Sequence, residues 1–173
     1  ASPGLARAAM QPHPAVRFVV VDERISESKA FGAALLREGV QRLEVTSGLT
    51  AVWRDHLHPH WQRSQGAVVG LTTRSVWDGL SQQAHGQFRK ARNVGIHHLA
   101  GTVELCQHSI EAPLEANVAH QKLALATARW PQEVARLLAR YSNQTGCARE
   151  SKLYGNAVPA ELLRQQLVSW IIE

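Results

Sequence analysis

One apolar run stands out along the chain, residues 16–21, and it is interrupted only by Arg17. A run of this length and composition is typical of a strand that is buried on both faces, as in the middle of a parallel sheet. Three charged residues follow it directly, Asp22, Glu23 and Arg24. We therefore expect these charges at the carboxyl edge of the sheet, where open α/β folds bind their ligands.

Strand and helix patterns alternate in the chain that follows. Further strand patterns cover residues 42–45, 66–71 and 93–99, and the first three strands are each followed by apolar residues at helical spacing. The second of these helices is expected to stop near Pro59, because proline interrupts helical hydrogen bonding. This order, with about 20 to 30 residues per unit, is typical of parallel crossovers. Residues 102–106 are expected as an additional strand that is antiparallel, or part of one bent strand, because Ala100-Gly101 is too short for a crossover.

The second half of the chain has helical patterns. Helices are predicted over residues 115–128, from Pro131 and from Pro159, with a loop over 142–157. The last helix would carry Leu163, Leu167, Trp170 and Ile171 on one face. The predicted fold is a three-layer α/β sandwich with a mostly parallel, Rossmann-like sheet of four to five strands and a helical C-terminal half. Residues 14–173 would form a single domain, which suits a chain of 173 residues.

The first residues of the sequence resemble the end of an export signal. Ala6-Arg7-Ala8 is an A-x-A pattern of the kind that precedes signal-peptidase cleavage. We interpret residues 1–13 as a disordered leader or a signal-peptide remnant, and we expect a periplasmic or secreted protein. The alternative is an Ala-rich leader on a cytoplasmic protein. There is no apolar run of 18 residues, so no membrane span is expected.

The charge of the chain bears on its partners, and its two cysteines bear on disulfide formation. The formal net charge is +5, which suits an anionic ligand, an anionic surface or nucleic acid. The densest basic cluster, residues 89–92, has no interleaved aromatic residues on which bases would stack, so we do not expect nucleic-acid binding. Cys106 and Cys147 fit either one disulfide or two buried thiols.

Polar residues follow each predicted strand and define the candidate site. They are Asp22, Glu23, Arg24, Ser47, Thr72, Thr73, Arg74, His97 and His98. In a parallel sheet these ends would converge on one crevice able to bind a small polar or anionic ligand or a protein partner. The alternative is that they serve turns and helix caps, which every α/β fold needs.

Arg74 is the member of this set with the most specific predicted role. It lies in the first turn of a predicted helix, where a positive charge is unfavourable. Together with Thr72, Thr73 and the helix N-terminus, it would complete a site for a carboxylate or phosphate. The alternative is a salt bridge to Asp78, four residues further along the same helix, or to Asp22.

A second cluster consists of His56, His58 and His60, which lie between two tryptophans. Imidazoles are common metal ligands, but Pro59 interrupts the spacing that would place His56 and His60 on one helix face. We therefore predict no tight metal site and keep these histidines as weak candidates.

Several familiar motifs are missing from the sequence. The turn after the first strand has no G-x-G-x-x-G, which argues against a dinucleotide cofactor bound in the usual glycine-rich manner. Neither a phosphate-binding loop nor a G-x-S-x-G elbow is present. We expect an exported α/β protein that binds a ligand or partner at its strand ends. The alternatives are a hydrolase or transferase using Asp22 or His98, and an accessory protein of an exported redox or metal system.

Overall fold

The computed structural model describes residues 16–36, 39–46, 48–63, 66–101, 106–113, 128–141 and 149–173. Within them lies one sheet of seven strands, which are β1 (Val16–Asp22), β2 (Gln41–Val45), β3 (Ala67–Thr73), β4 (Ala91–Ala100), β5 (Cys106–Pro113), β6 (Arg149–Gly155) and β7 (Leu163–Ile172). The four α-helices of this part are α1 (Ser26–Leu35), α2 (His58–Arg63), α3 (Arg74–Gly86) and α4 (Trp130–Tyr141). None of the described helices is both long enough and apolar enough to cross a membrane.

The sheet is mixed, with the strand order β2-β1-β3-β7-β4-β5-β6. β1 is parallel to β2 and β3, whereas the other four pairings are antiparallel. The prediction of a mostly parallel, Rossmann-like sheet of four to five strands is therefore wrong. The crossover rhythm ends at β3, because β7 pairs with β3 on one side and with β4 on the other.

The C-terminus is where the prediction of a helical half is most clearly wrong. The segment predicted as the last helix is β7, a strand in the middle of the sheet, and a 3-10 turn, Ala160–Leu162, precedes it. Its apolar positions fit helical spacing, but residues 167–172 are all buried, which a one-sided helix does not explain. Short apolar runs do not distinguish a strand from a helix by period alone.

A second correction concerns the predicted loop over residues 142–157, since residues 149–155 form β6. β6 lies at the edge of the sheet and pairs only with β5 among the described strands. Edge strands are commonly short and carry charged residues, so their sequence lacks an apolar run. The helix beginning at Pro131 is present as α4, whereas the predicted helix over 115–128 lies outside the described residues except for Ala128.

The helix expected to stop near Pro59 continues past it. A π-helical segment, Val52–Leu57, leads into α2, and the N–H of His58 bonds to the carbonyl of Trp53. The wider π-helical turn precedes the position where proline lacks the donor for an ordinary helical hydrogen bond. The chain therefore keeps its helical path as far as Arg63.

Two apolar clusters lie on opposite faces of the sheet. On one face, α1 and α4 pack on β1, β3, β7, β4 and β5, and Phe31 and Leu138 are fully buried there. On the other face, the π-helical segment, α2 and α3 pack on β1, β2, β3 and β7 around Trp170. The face under α1 and α4 also carries the buried polar side chains of His97, His108 and Ser169.

Candidate functional site

The strand ends named from the sequence do share one edge of the sheet. β4 is antiparallel to β7, which is antiparallel to β3, so β1, β3 and β4 run in the same direction. The insertion of β7 nevertheless separates the groups. Asp22 and His98 are three strand spacings apart, about 14 Å. Ser47 lies outside the described residues.

The charged residues at the end of β1 are paired with each other and with β2. Arg24 donates two hydrogen bonds to the Asp22 carboxylate, from Nε at 2.9 Å and from Nη2 at 2.7 Å. The hydrogen bond from Arg24 outweighs burial and lowers the pKa of Asp22. Glu23 forms an ion pair with Arg42 of β2. These contacts stabilise the turn between β1 and α1.

The residues at the end of β3 and at the start of α3 are also engaged in local contacts. Thr72 is buried, and its hydroxyl accepts a hydrogen bond from Trp170 Nε1 at 2.9 Å. The hydroxyl of Thr73 lies 3.1 Å from that of Ser75. Arg74 Nε donates to Asp78 at 3.2 Å, which is the salt bridge considered as the alternative to an anion site.

The three histidines near Pro59 take separate contacts. His60 Nε2 donates to the carbonyl of Gly66 at 2.9 Å, and His58 Nε2 accepts from Gln62 at 3.1 Å. His56 is exposed. In the described part of the chain, no group of three or more His, Cys, Asp or Glu side chains is arranged to hold a metal ion.

His97 and His98 lie inside β4 and point to opposite faces of the sheet. His98 Nε2 accepts a hydrogen bond from Gln166 at 2.7 Å. His97 is fully buried on the face covered by α4, where its Nδ1 lies 2.8 Å from Nδ1 of His108 on β5. Its Nε2 lies 2.9 Å from the hydroxyl of Ser169 on β7. His97 therefore joins side chains from three strands.

The same row continues to a thiol. Cys106 and His108 are two residues apart on β5 and so share a face, and Cys106 Sγ lies 3.3 Å from His108 Nε2. Cys106 is a free thiol, and Cys147 lies outside the described residues. We call the four residues Cys106, His108, His97 and Ser169 the thiol–imidazole row.

A glycine and a tryptophan shape this row. A Cβ on Gly95 would lie 2.9 Å from Ser169 Oγ and 3.2 Å from His97 Nε2, so glycine leaves the space in which these two groups meet. Trp130, the first residue of α4, stacks on His97 with ring centroids 4.8 Å apart and an interplanar angle of 25°. Trp130 also lies 4.8 Å from the ring of His108 and covers the row.

The thiol end of the row opens into a cleft at the edge of the sheet. The cleft has a volume of about 400 Å³ and is bounded by the first turns of α1 and α4 and by the ends of β4, β5 and β7. Its lining includes Ala30, Leu99, Trp130, Cys106, Glu27 and Arg164. We call it the strand-end cleft.

One ion pair supplies the charged groups of the strand-end cleft. Arg164 Nη2 donates to Glu27 Oε1 at 2.6 Å, and 49% of the Arg164 side chain is exposed. Burial opposes ionisation of Glu27, but hydrogen bonds from the backbone, Ser26 and Arg164 outweigh it and lower the pKa of its carboxyl group. The cleft therefore offers both a guanidinium and a carboxylate beside an apolar wall.

Burial keeps the thiol–imidazole row uncharged at neutral pH. Burial and the neighbouring imidazoles hold the pKa of His97 well below its usual range, and burial lowers the pKa of His108 to about 4. Burial, reinforced by Glu27, raises the pKa of the Cys106 thiol to about 12. The resting state at neutral pH is therefore two neutral imidazoles and a protonated thiol.

Comparison of this chain with protein-family models, with curated proteins and with solved structures found no match. The function is therefore inferred from the geometry of the strand-end cleft and of the thiol–imidazole row.

Sequence reasoning identified His97 but not its partners. The predicted strand over 102–106 ends where β5 begins, so His108 was not assigned to a strand. The usable signal is Cys106-Gln107-His108, because alternate residues of any strand share a face. Nothing in the sequence around Ser169 and Trp130 places them in this row. Their place in it follows only from the fold, in which β7 lies beside β4 and α4 covers both.

Proposed function

We propose that the protein binds a small polar or anionic ligand in the strand-end cleft. The observation that carries this proposal is the half-exposed guanidinium of Arg164 at a concave site with an apolar wall. A volume of about 400 Å³ falls within the range of small-molecule sites, roughly 300–1,000 Å³. It suits a small molecule better than the broad surface of a protein partner.

The charges of the cleft favour an acidic group on this ligand. Arginine has five N–H donors, so the bond to Glu27 leaves donors of Arg164 for a second acceptor. The first turn of α1 contributes Ser26 and Glu27 to the lining, and a helix N-terminus attracts negative charge. A carboxylate or phosphate with an apolar body beside Leu99 and Trp130 fits this arrangement, and a hydroxyl on the ligand would find an acceptor in Glu27.

The contacts give less support to the other functions predicted from the sequence. A hydrolase or transferase using Asp22 or His98 gains no support from the contacts, because Arg24 holds Asp22 and Gln166 holds His98. A role in a metal system gains no support from the described residues, because they include no group of three or more His, Cys, Asp or Glu side chains arranged to hold a metal ion, and the redox role stays a prediction. Export stays a prediction, since residues 1–13 lie outside the described residues.

The test is calorimetric titration of butyrate, hexanoate and inorganic phosphate at constant ionic strength. We expect binding by the wild type, and an affinity at least about tenfold weaker in Arg164→Ala, as for loss of a charge-assisted hydrogen bond. Arg74→Ala is the matched control, because Arg74 is also about half exposed and paired with one carboxylate but lies outside the cleft. Absence of binding by the wild type, or equal binding by both variants, would contradict the proposal.

A further inference from the structure

The hydroxyl of Ser169, at the inner end of the thiol–imidazole row, can donate either to His97 Nε2 at 2.9 Å or to the carbonyl of Gly95 at 3.5 Å, and this choice sets the direction of the hydrogen bonds along the row. We assign the hydrogen of this hydroxyl to the bond with the carbonyl of Gly95, which can only accept. Ser169 Oγ in turn accepts from His97, whose Nε2 therefore carries the hydrogen. A neutral imidazole has one N–H, so Nδ1 of His97 presents a lone pair.

The hydrogen positions at the outer end of the row follow from this assignment. Because His97 Nδ1 accepts, Nδ1 of His108 must donate across the 2.8 Å between them. The remaining nitrogen of His108, Nε2, then has a free lone pair and lies 3.3 Å from Cys106 Sγ. The row thus places an unprotonated imidazole nitrogen against a protonated thiol that lines the strand-end cleft.

We propose that Cys106 is the nucleophile of an acyl-transfer reaction, with His108 as its general base and His97 and Ser169 as positioning residues. The order of nucleophile, base and orienting group is the one that nucleophilic catalysis requires. This proposal rests on the proposed ligand binding and specifies the ligand as an acyl donor, an ester or thioester. The apolar wall at Leu99 and Trp130 suits its acyl group, and Arg164 suits an acidic group.

The proposed step balances without a cofactor. Cys106 Sγ forms a bond to the carbonyl carbon of the donor while its hydrogen passes to His108 Nε2. The bond between that carbon and the leaving oxygen or sulfur then breaks, and the proton passes from His108 to the leaving group. Cys106 is left as a thioester, which water or a second acceptor cleaves with His108 again taking the proton.

This mechanism has a distinctive pH dependence. A thiol with a raised pKa that attacked as free thiolate would react about tenfold faster per pH unit. With His108 as base, the rate is constant where His108 is neutral and Cys106 is protonated. The groups that face the pair are Glu27 on α1, Arg164 on β7, His97 on β4 and Tyr154 on β6.

The experiment uses the Cys147→Ser variant, so that Cys106 is the only thiol, under reducing conditions with p-nitrophenyl butyrate as the probe. We expect release of p-nitrophenol with a butyryl adduct on the Cys106 peptide, at a rate that is flat between about pH 6 and pH 9. His108→Gln lowers the rate at pH 7 about 100-fold and makes it rise about tenfold per pH unit. Ser169→Ala lowers the flat rate, and His98→Gln, on the opposite face, leaves it unchanged.

Two results would overturn acyl transfer: no adduct on Cys106, or a wild-type rate that rises with pH as steeply as that of His108→Gln. Circular dichroism confirms that each variant is folded, and His108→Asn replaces His108→Gln if the latter is not. Anion binding is measured separately on Cys106→Ala. Binding that depends on Arg164 without any adduct refutes acyl transfer alone, whereas absence of both refutes the ligand-binding proposal as well.

Discussion

His97 and His108 face each other across β4 and β5 with their Nδ1 atoms 2.8 Å apart and both rings buried. Nitrogens at this distance share a single hydrogen, so protonation of both rings would place two buried cations in contact. Burial favours the neutral form of each ring, and the pKa of His108 is lowered to about 4.

The stability of the protein should therefore fall on mild acidification. Between about pH 6.5 and pH 4, a histidine in the unfolded chain binds a proton while folded His108 does not. Stability thus rises with pH in this window, and His108 alone contributes about 2 kcal/mol to the difference between pH 7 and pH 5. Urea unfolding at the two pH values measures it.

The control for this effect is His108→Gln, which should lose the share of about 2 kcal/mol that His108 contributes and keep the share of His97, which is also buried. The lowered pKa of Asp22 does not interfere, because stability from that carboxylate is lost only below about pH 4. An equal or greater free energy of unfolding at pH 5 would show that the imidazole pair is not held neutral.

Gly95→Ala should separate Ser169 from His97. The added Cβ would lie 2.9 Å from Ser169 Oγ, closer than such contacts allow, and 3.2 Å from the backbone oxygen of Ser109, which is tighter than most. We expect a loss of about 1–3 kcal/mol in the free energy of unfolding. Gly86→Ala is the control, since no atom lies within 4 Å of its added Cβ, and it should change stability by less than about 1 kcal/mol.

Thr72→Val should leave the indole N–H of Trp170 buried without its acceptor. The two side chains have nearly the same shape, so the change removes only the hydrogen bonds of the hydroxyl, which are the 2.9 Å bond from Trp170 and a 3.3 Å bond to the carbonyl of Thr73. We expect a cost of about 1–3 kcal/mol, measured by urea unfolding. The exposed Thr50→Val should cost less than about 0.5 kcal/mol. Equal effects of the two substitutions would refute a buried Trp170–Thr72 contact.

β7 can be tested against the helix predicted from the same residues. The helix places Leu163 on the buried face and Val168 off it, whereas the strand leaves Leu163 42% exposed and buries Val168 completely. We expect Val168→Asp to abolish folding, because an unpaired carboxylate in the core costs more than about 4 kcal/mol. Leu163→Asp should fold, as seen by circular dichroism. The reverse outcome would favour the helix.

The sequence predicts local structure well where the pattern has one interpretation. The run at β1 is apolar and β-branched, and it lies where it was expected, paired in parallel with β2 and β3. The apolar residues within 167–172 fit a helix and a buried strand equally, and only their pairing with β3 and β4 decides between them. Long-range pairing of this kind leaves no trace in a local pattern.

The candidate site shows the same limit. Polar residues at strand ends were predicted to converge, but most are engaged locally, as with Asp22 and Arg24. Of the predicted residues, His97 is the one that lies in the thiol–imidazole row. Its position on β4 places it opposite His108. Its neighbours come from β5, β7 and α4, whose arrangement only the fold supplies.

The most direct test of the account is the tautomeric state of the two buried imidazoles. Two-dimensional 15N–1H NMR on imidazole-labelled protein at pH 7, with assignments from His97→Gln and His108→Gln, reports which nitrogen carries the hydrogen. The assigned direction of the hydrogen bonds predicts two neutral rings, with the hydrogen on Nε2 of His97 and on Nδ1 of His108. A charged imidazole, or a hydrogen on Nε2 of His108, would remove the base from Cys106 and contradict the account.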